Sequence, residues 1–121
     1  MESFNNQIFV QIDFFESLDN FFLGPGKTVL QPGDIVTAMS FSLPPQSWAG
    51  RYIKLGRNAL GDLAIVGVTA LGYPDKTAAS GYRFRLALAS VAPVPFRPLT
   101  AETILAENSI DENTIAAAAK A

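Results

Sequence analysis

Histidine and cysteine are both absent from this 121-residue sequence. That alone removes thiol nucleophiles, disulfides, cysteine-held iron-sulfur clusters, histidine general bases and nearly every zinc site. Chemistry would have to come from carboxylates, Lys, Tyr or a cofactor. The most suggestive string is Gly24-Pro25-Gly26-Lys27-Thr28, which contains the Gly-Lys-Thr of a phosphate-binding loop. Such a loop needs another glycine five residues before the glycine of that triplet, where this chain has Phe21, and it needs a strand before it and an apolar helix after it. A nucleoside triphosphate site is therefore rejected in favour of a turn. No constellation of base, nucleophile and metal ligands is visible, so a standalone hydrolase or transferase is disfavoured.

The net charge of -2 conceals an uneven distribution. Residues 1–50 hold five acids and one base, Lys27, whereas residues 51–97 hold seven bases against Asp62 and Asp75. The tail holds Lys120 against Glu102, Glu107, Asp111 and Glu112. A basic centre of this kind suits a phosphate-bearing cofactor or an acidic partner, or is neutralised by its own flanks in the folded chain. Nucleic-acid binding is disfavoured by a pI near 4.9 and by the lack of interleaved aromatic and basic residues. Glu2 stands where an export signal would carry bases, and the longest apolar-rich stretch, Leu63 to Leu71, is about half a membrane span. Neither secretion nor membrane insertion is indicated, and a cytoplasmic location is expected.

The elements that would position any site follow from periodicity and punctuation. At 49% hydrophobic and 17% charged residues, the sequence is that of a folded domain with one core. The spacing of Phe14, Phe15, Leu18, Phe21 and Phe22 predicts a short helix over 13–22, stopped by Gly24 and Pro25. Gln31-Pro32-Gly33-Asp34 is turn chemistry, and alternation from Ile35 to Leu43 predicts a strand with one buried face, ended by Pro44-Pro45. Trp48 to Asp62 has no clear period. Leu63 to Tyr73 and Tyr82 to Leu88 predict two strands of a hairpin, the second presenting Arg83 and Arg85 to solvent. The proline-rich run from Ala92 to Pro98 predicts an extended crossover. Thr100 is expected to cap a helix with Glu102 in its first turn, and Asp111 to cap another over 112–119. The fold class is α+β: a small antiparallel β-sheet, a meander, with helices packed on one face.

Four blocks together resemble the FAD-binding (medium) flavoprotein subunit of molybdenum hydroxylases, the carbon monoxide dehydrogenase and xanthine dehydrogenase family. They are Asp19-Asn20-Phe21-Phe22-Leu23-Gly24-Pro25-Gly26-Lys27-Thr28, Tyr52-Ile53-Lys54-Leu55-Gly56-Arg57, Asp62-Leu63-Ala64-Ile65-Val66-Gly67-Val68, and Leu88 to Arg97 followed by Ala101-Glu102. Each is weak alone, and the specificity lies in their order and spacing.

The resemblance implies an oxidoreductase component that shuttles electrons: FAD receives them from iron-sulfur clusters fed by a molybdopterin subunit and passes them to an acceptor. It implies residues 1–33 as the C-terminal remnant of the FAD-binding domain, and residues 34–121 as a C-terminal domain like that of the carbon monoxide dehydrogenase flavoprotein, incomplete at its end. FAD would be shared with a FAD-binding domain outside this chain and not bound independently. The expected partners are that domain and the iron-sulfur and molybdopterin subunits, with no nucleic acid and no membrane. In the family a Tyr-x-Lys segment at the domain junction lies near the isoalloxazine, which maps onto Tyr52 and Lys54. The base that usually follows the arginine is replaced here by Asn58. No residue is expected to be catalytic in the chain alone. Glu102, Asp62 and Arg97 are expected to be structural, Arg97 as an anchor for the crossover. A structural interaction module with no flavin role is the alternative.

Overall fold

The computed structural model describes residues 9–11, 15–58, 61 and 63–121, which fall into two compact units divided after Leu43. In the first, β1 (Phe9–Gln11) is the centre of a three-stranded antiparallel sheet between β2 (Phe15–Ser17) and β5 (Ala38–Ser40). α1 (Leu18–Phe21) is a single turn, started by the Ser17 hydroxyl accepting from the Asp19 N–H at 3.3 Å. β3 (Phe22–Gly24) and β4 (Lys27–Thr28) form a hairpin on the Pro25-Gly26 turn, with Gly26 at φ 65°. Gly-Lys-Thr therefore leads into a two-residue strand, as the rejection of a phosphate loop requires. Phe21 is the buried centre, packed by Leu18, Phe22, Val29 and Leu30.

Two expectations for this unit are corrected. The helix over 13–22 shrinks to four residues, because Phe15–Ser17 pair with β1 and Phe22 opens β3; Asp13 and Phe14 lie outside the described residues. The strand over 35–43 shrinks to β5, and every residue from Gln31 to Leu43 is exposed within this chain. Alternation there marks apolar side chains that this chain does not bury. The Gln31–Asp34 turn forms as expected: Asp34 N–H donates to the Gln31 carbonyl at 3.0 Å and Gln31 N–H to the Asp34 carboxylate at 2.7 Å.

The second unit, Pro44–Ala121, is built on a meander of β6 (Ala49–Leu55), β7 (Val66–Pro74) and β8 (Tyr82–Ala89), with β7 central. β6 is the element that the sequence left without a period. Register places Arg51, Ala70 and Leu86 side by side on one face, and Tyr52, Thr69 and Ala87 on the other. The first face is covered beside β8 by α2 (Leu99–Glu107), against which α3 (Glu112–Ala118) packs. Ala101, Leu105 and Ala118 meet Phe84, Leu86 and Ile104 there. Asp111 caps α3 by accepting the Thr114 N–H at 2.8 Å, which holds its carboxyl below the usual range. The start of α2 departs from expectation. It opens at Leu99 after Pro98, with no side-chain cap, and Thr100 lies inside it.

Two β7 glycines face aromatic rings, and they differ in what an added methyl would meet. A Cβ at Gly72 would stand 3.0 Å from Phe84 Cε1, and Phe84 is held against the helical cluster. A Cβ at Gly67 would meet the hydroxyl of Tyr52, a ring 58% exposed and able to swing away. We expect Gly72→Ala to cost about 1–2 kcal/mol through overpacking, and Gly67→Ala to stay within about 0.5 kcal/mol. Urea unfolding of the two variants checks this order.

Candidate functional site

Tyr52 and Lys54 lie two apart on β6 and share the face opposite the helices with Thr69, Gly67, Ala87 and Ala89. Their β7 neighbours, Thr69 and Gly67, and the β8 residues beyond are all small. The surface beside the Tyr52 ring is consequently shallow. Every residue of β6 is exposed, and among the described residues no strand pairs with its outer edge. Ile53 and Leu55, on the helix side of the sheet, are also more than half exposed, because α2 packs on β8 and does not reach across to them.

The opposite edge of the sheet is occupied at three positions. The outward backbone groups of β8 find partners at three levels. Tyr82 N–H donates to the Ser80 hydroxyl, which donates to the Tyr82 carbonyl. Leu86 N–H donates to Glu102 Oε1 at 2.8 Å. Leu88 exchanges both hydrogen bonds with Phe96, at 2.8 and 3.0 Å. The crossover is thus a one-residue bridge onto β8, which returns the chain to start α2.

Glu102 is the charged group that sequence reading undervalued. It is 5% exposed, and besides Leu86 N–H its carboxylate accepts from two guanidiniums. Arg97 approaches side-on, Nε to Oε1 at 3.3 Å and Nη2 to Oε2 at 2.7 Å, and Arg85 donates Nη1 to Oε2 at 3.3 Å. Arg97 is an anchor, as expected, and its anchorage is this carboxylate. The solvent-facing reading of Arg83 and Arg85 is corrected: both are partly buried in ion pairs, since long side chains on an edge strand can fold around the edge to carboxylates there. Arg83 Nε meets Asp75 at 2.6 Å at the root of the β7–β8 loop. A local signal for Glu102 did exist, because Arg97 precedes it by five residues across a proline, but Arg85 is seventeen residues away. Asp62 lies outside the described residues. Among those residues, no group of three His, Cys, Asp or Glu could hold a metal, and no helix is long and apolar enough to cross a membrane.

Two outcomes follow. Removing the acceptor in Glu102→Ala leaves two guanidiniums and a backbone N–H without their shared partner, and we expect a loss of about 3 kcal/mol, with Glu102→Gln losing less because its amide oxygen still serves Leu86. Equilibrium unfolding of both variants measures it. The Thr77 hydroxyl, then the Arg83 guanidinium, hold the Asp75 carboxyl down to about 2. A depressed acid stabilises the fold above its ordinary value of 3.8, and that contribution is lost as pH falls through about 2. Asp75→Asn should therefore lose stability less steeply than wild type across this window, which acid titrations followed by circular dichroism would record.

No protein-family model matches the sequence, and no curated protein matches it. Solved structures do. A chain of carbon monoxide dehydrogenase from Hydrogenophaga pseudoflava, in a form lacking the Mo-pyranopterin moiety of the molybdenum cofactor, aligns with TM-score 0.81 and 25% identity over 95% of this chain and 40% of that one. Quinoline 2-oxidoreductase from Pseudomonas putida 86 aligns at 0.80 and 23% over 94% and 40%, and reconstituted CO dehydrogenase from Oligotropha carboxidovorans at 0.78 and 19% over 95% and 40%. The present chain spans well under half of each of these chains, and its α+β fold is similar to that of the matching part of oxidoreductase chains.

Proposed function

We propose that this chain is part of the FAD-binding subunit of a molybdopterin-dependent oxidoreductase, of the carbon monoxide dehydrogenase and xanthine dehydrogenase type. Residues 1–33 end the FAD-binding domain and residues 34–121 form the C-terminal domain. The observation that carries the reading is the structural similarity to the Hydrogenophaga chain across 95% of this chain, and the resemblance of the four sequence blocks supports it separately. Its setting is a cytoplasmic complex, with the rest of the subunit and the iron-sulfur and molybdopterin subunits as partners.

The exposed β6 supports a role at the flavin. A ring that is 58% exposed, over a glycine and beside small side chains, fits a planar group laid against the sheet. Tyr52 would cover one face of the isoalloxazine and limit its contact with water, and Lys54 would bring an ammonium close to it. FAD, when bound, accepts electrons from iron-sulfur clusters and delivers them to an acceptor. The chain adds no catalytic residue of its own.

In the complete subunit we expect Tyr52→Ala to weaken flavin retention about 5- to 10-fold, the scale of one lost aromatic contact. Lys54→Ala should lower the flavin potential by about 30 mV, since the ammonium favours the anionic reduced form. Flavin absorbance after gel filtration and a redox titration measure the two. Unchanged retention and potential in folded variants would leave the second reading, an interaction module without a flavin role. The uncovered Ile53 and Leu55 on the other face of β6 favour that reading.

A further inference from the structure

α2, β8 and the loop after β7 enclose a cleft of about 530 Å³, within the range of small-molecule sites. Arg83, Arg85, Arg97, Glu102 and Glu107 line it, with Leu99 and Ala106 as an apolar wall. The three guanidiniums differ in what they have left to give. Arg97 spends its side-on edge, Nε and Nη2, on Glu102. Arg83 spends Nε on Asp75 and Nη2 on the Thr77 hydroxyl. Arg85 gives only Nη1, so its Nε–Nη2 edge, the fork that fits an oxyanion through two parallel hydrogen bonds, bonds to nothing among the described residues. Its side chain is nevertheless only 23% exposed. No buried side-chain nitrogen among those residues lacks a partner, so the vacant fork must reach solvent, and Arg85 lines the cleft.

Three guanidiniums meet three carboxylates, Asp75, Glu102 and Glu107, so the wall is balanced overall, and the unpaired edge of Arg85 is what it offers an anion. We propose that this cleft binds a small organic phosphate. Its phosphoryl oxygens take the Nε–Nη2 fork of Arg85, with Arg97 Nη1 as a second donor, and its apolar body lies along Leu99 and Ala106. Glu107, on the same wall, opposes the anion and limits affinity. This site uses the edge of the sheet opposite to Tyr52 and Lys54 and does not depend on the flavin reading.

The test is a titration of the purified chain with phenyl phosphate and, separately, inorganic phosphate, followed by 31P line broadening and by the unfolding midpoint, against sodium chloride at equal ionic strength. We expect both phosphates to bind and raise the midpoint, phenyl phosphate more tightly because its ring meets the apolar wall, and chloride to do neither. Arg85→Gln should weaken phenyl phosphate about tenfold, as the loss of a charge-assisted fork implies. Glu107→Gln, an exposed change that leaves the Glu102 network intact, should tighten it. No broadening with wild type, equal affinity in Arg85→Gln, or no tightening in Glu107→Gln would overturn the proposal. Inorganic phosphate binding as tightly as phenyl phosphate would overturn its organic part.

Discussion

A strand at the edge of a sheet exposes a row of backbone donors and acceptors, and the way β8 disposes of its row organises the second unit. Leu86 N–H needs an acceptor from outside the sheet, and Glu102 supplies one from the first turn of α2. A carboxylate taken out of water requires compensation, which comes from two guanidiniums. Arg97 precedes the helix and Arg85 lies on the strand, so one buried acid joins the three segments that define this edge. The Leu88 and Phe96 bridge sets where the crossover touches β8, and Arg97 and Glu102 set how the chain turns from it into α2. The apolar cluster behind is small: Ala101, Leu105 and Ala118 are its buried members. With so little core, a polar junction decides where α2 sits.

The contrast between the two edges is what makes β6 functionally suggestive. β8 is bridged, capped and covered, whereas β6 is exposed along its whole length and carries Tyr52, Ile53 and Leu55 into solvent. Open edges invite strand pairing and exposed apolar rows invite contact, and proteins that keep them do so for a partner or guard them with charge. Arg51 and Lys54 provide charge on this strand, one on each face. The oxidoreductase chains with which this chain aligns extend well beyond the matched two fifths.

Legibility in the sequence followed the contrast between buried and exposed faces. β8 was readable because Phe84 and Leu86 face a helix while Arg83 and Arg85 alternate with them. The turns at Gly24–Gly26 and Gln31–Asp34, and the Asp111 cap, were readable because their chemistry is local. β6 was not, since a strand exposed on both faces has no reason to alternate. The run from Ile35 to Leu43 erred in the opposite sense: it alternates, yet among the described residues only Ala38–Ser40 pair, and its apolar side chains are exposed. Glu102 was read as a helix-start charge because that part of its role is local. Its partners on β8 lie sixteen and seventeen residues back, and only the folding of the edge brings them together.

The geometry of β6 is inherited from the far edge of the sheet. No helix touches it with enough contact to hold it, and its place is fixed by seven residue pairs with β7, which is in turn held by eight pairs with β8. Two strand spacings, about 10 Å, separate β6 from β8. Side chains alternate with a period of two, so a slip of one residue in either ladder would turn Tyr52 and Lys54 to the helix-side face. Glu102 acts against such slips from outside the ladder: it accepts the outward N–H of Leu86, and a shifted β8 would present a different residue to it. The buried carboxylate is therefore a positioning residue for a strand it never touches, and the shallow surface beside Tyr52 keeps its register because Arg85, Arg97 and Leu86 share one acceptor.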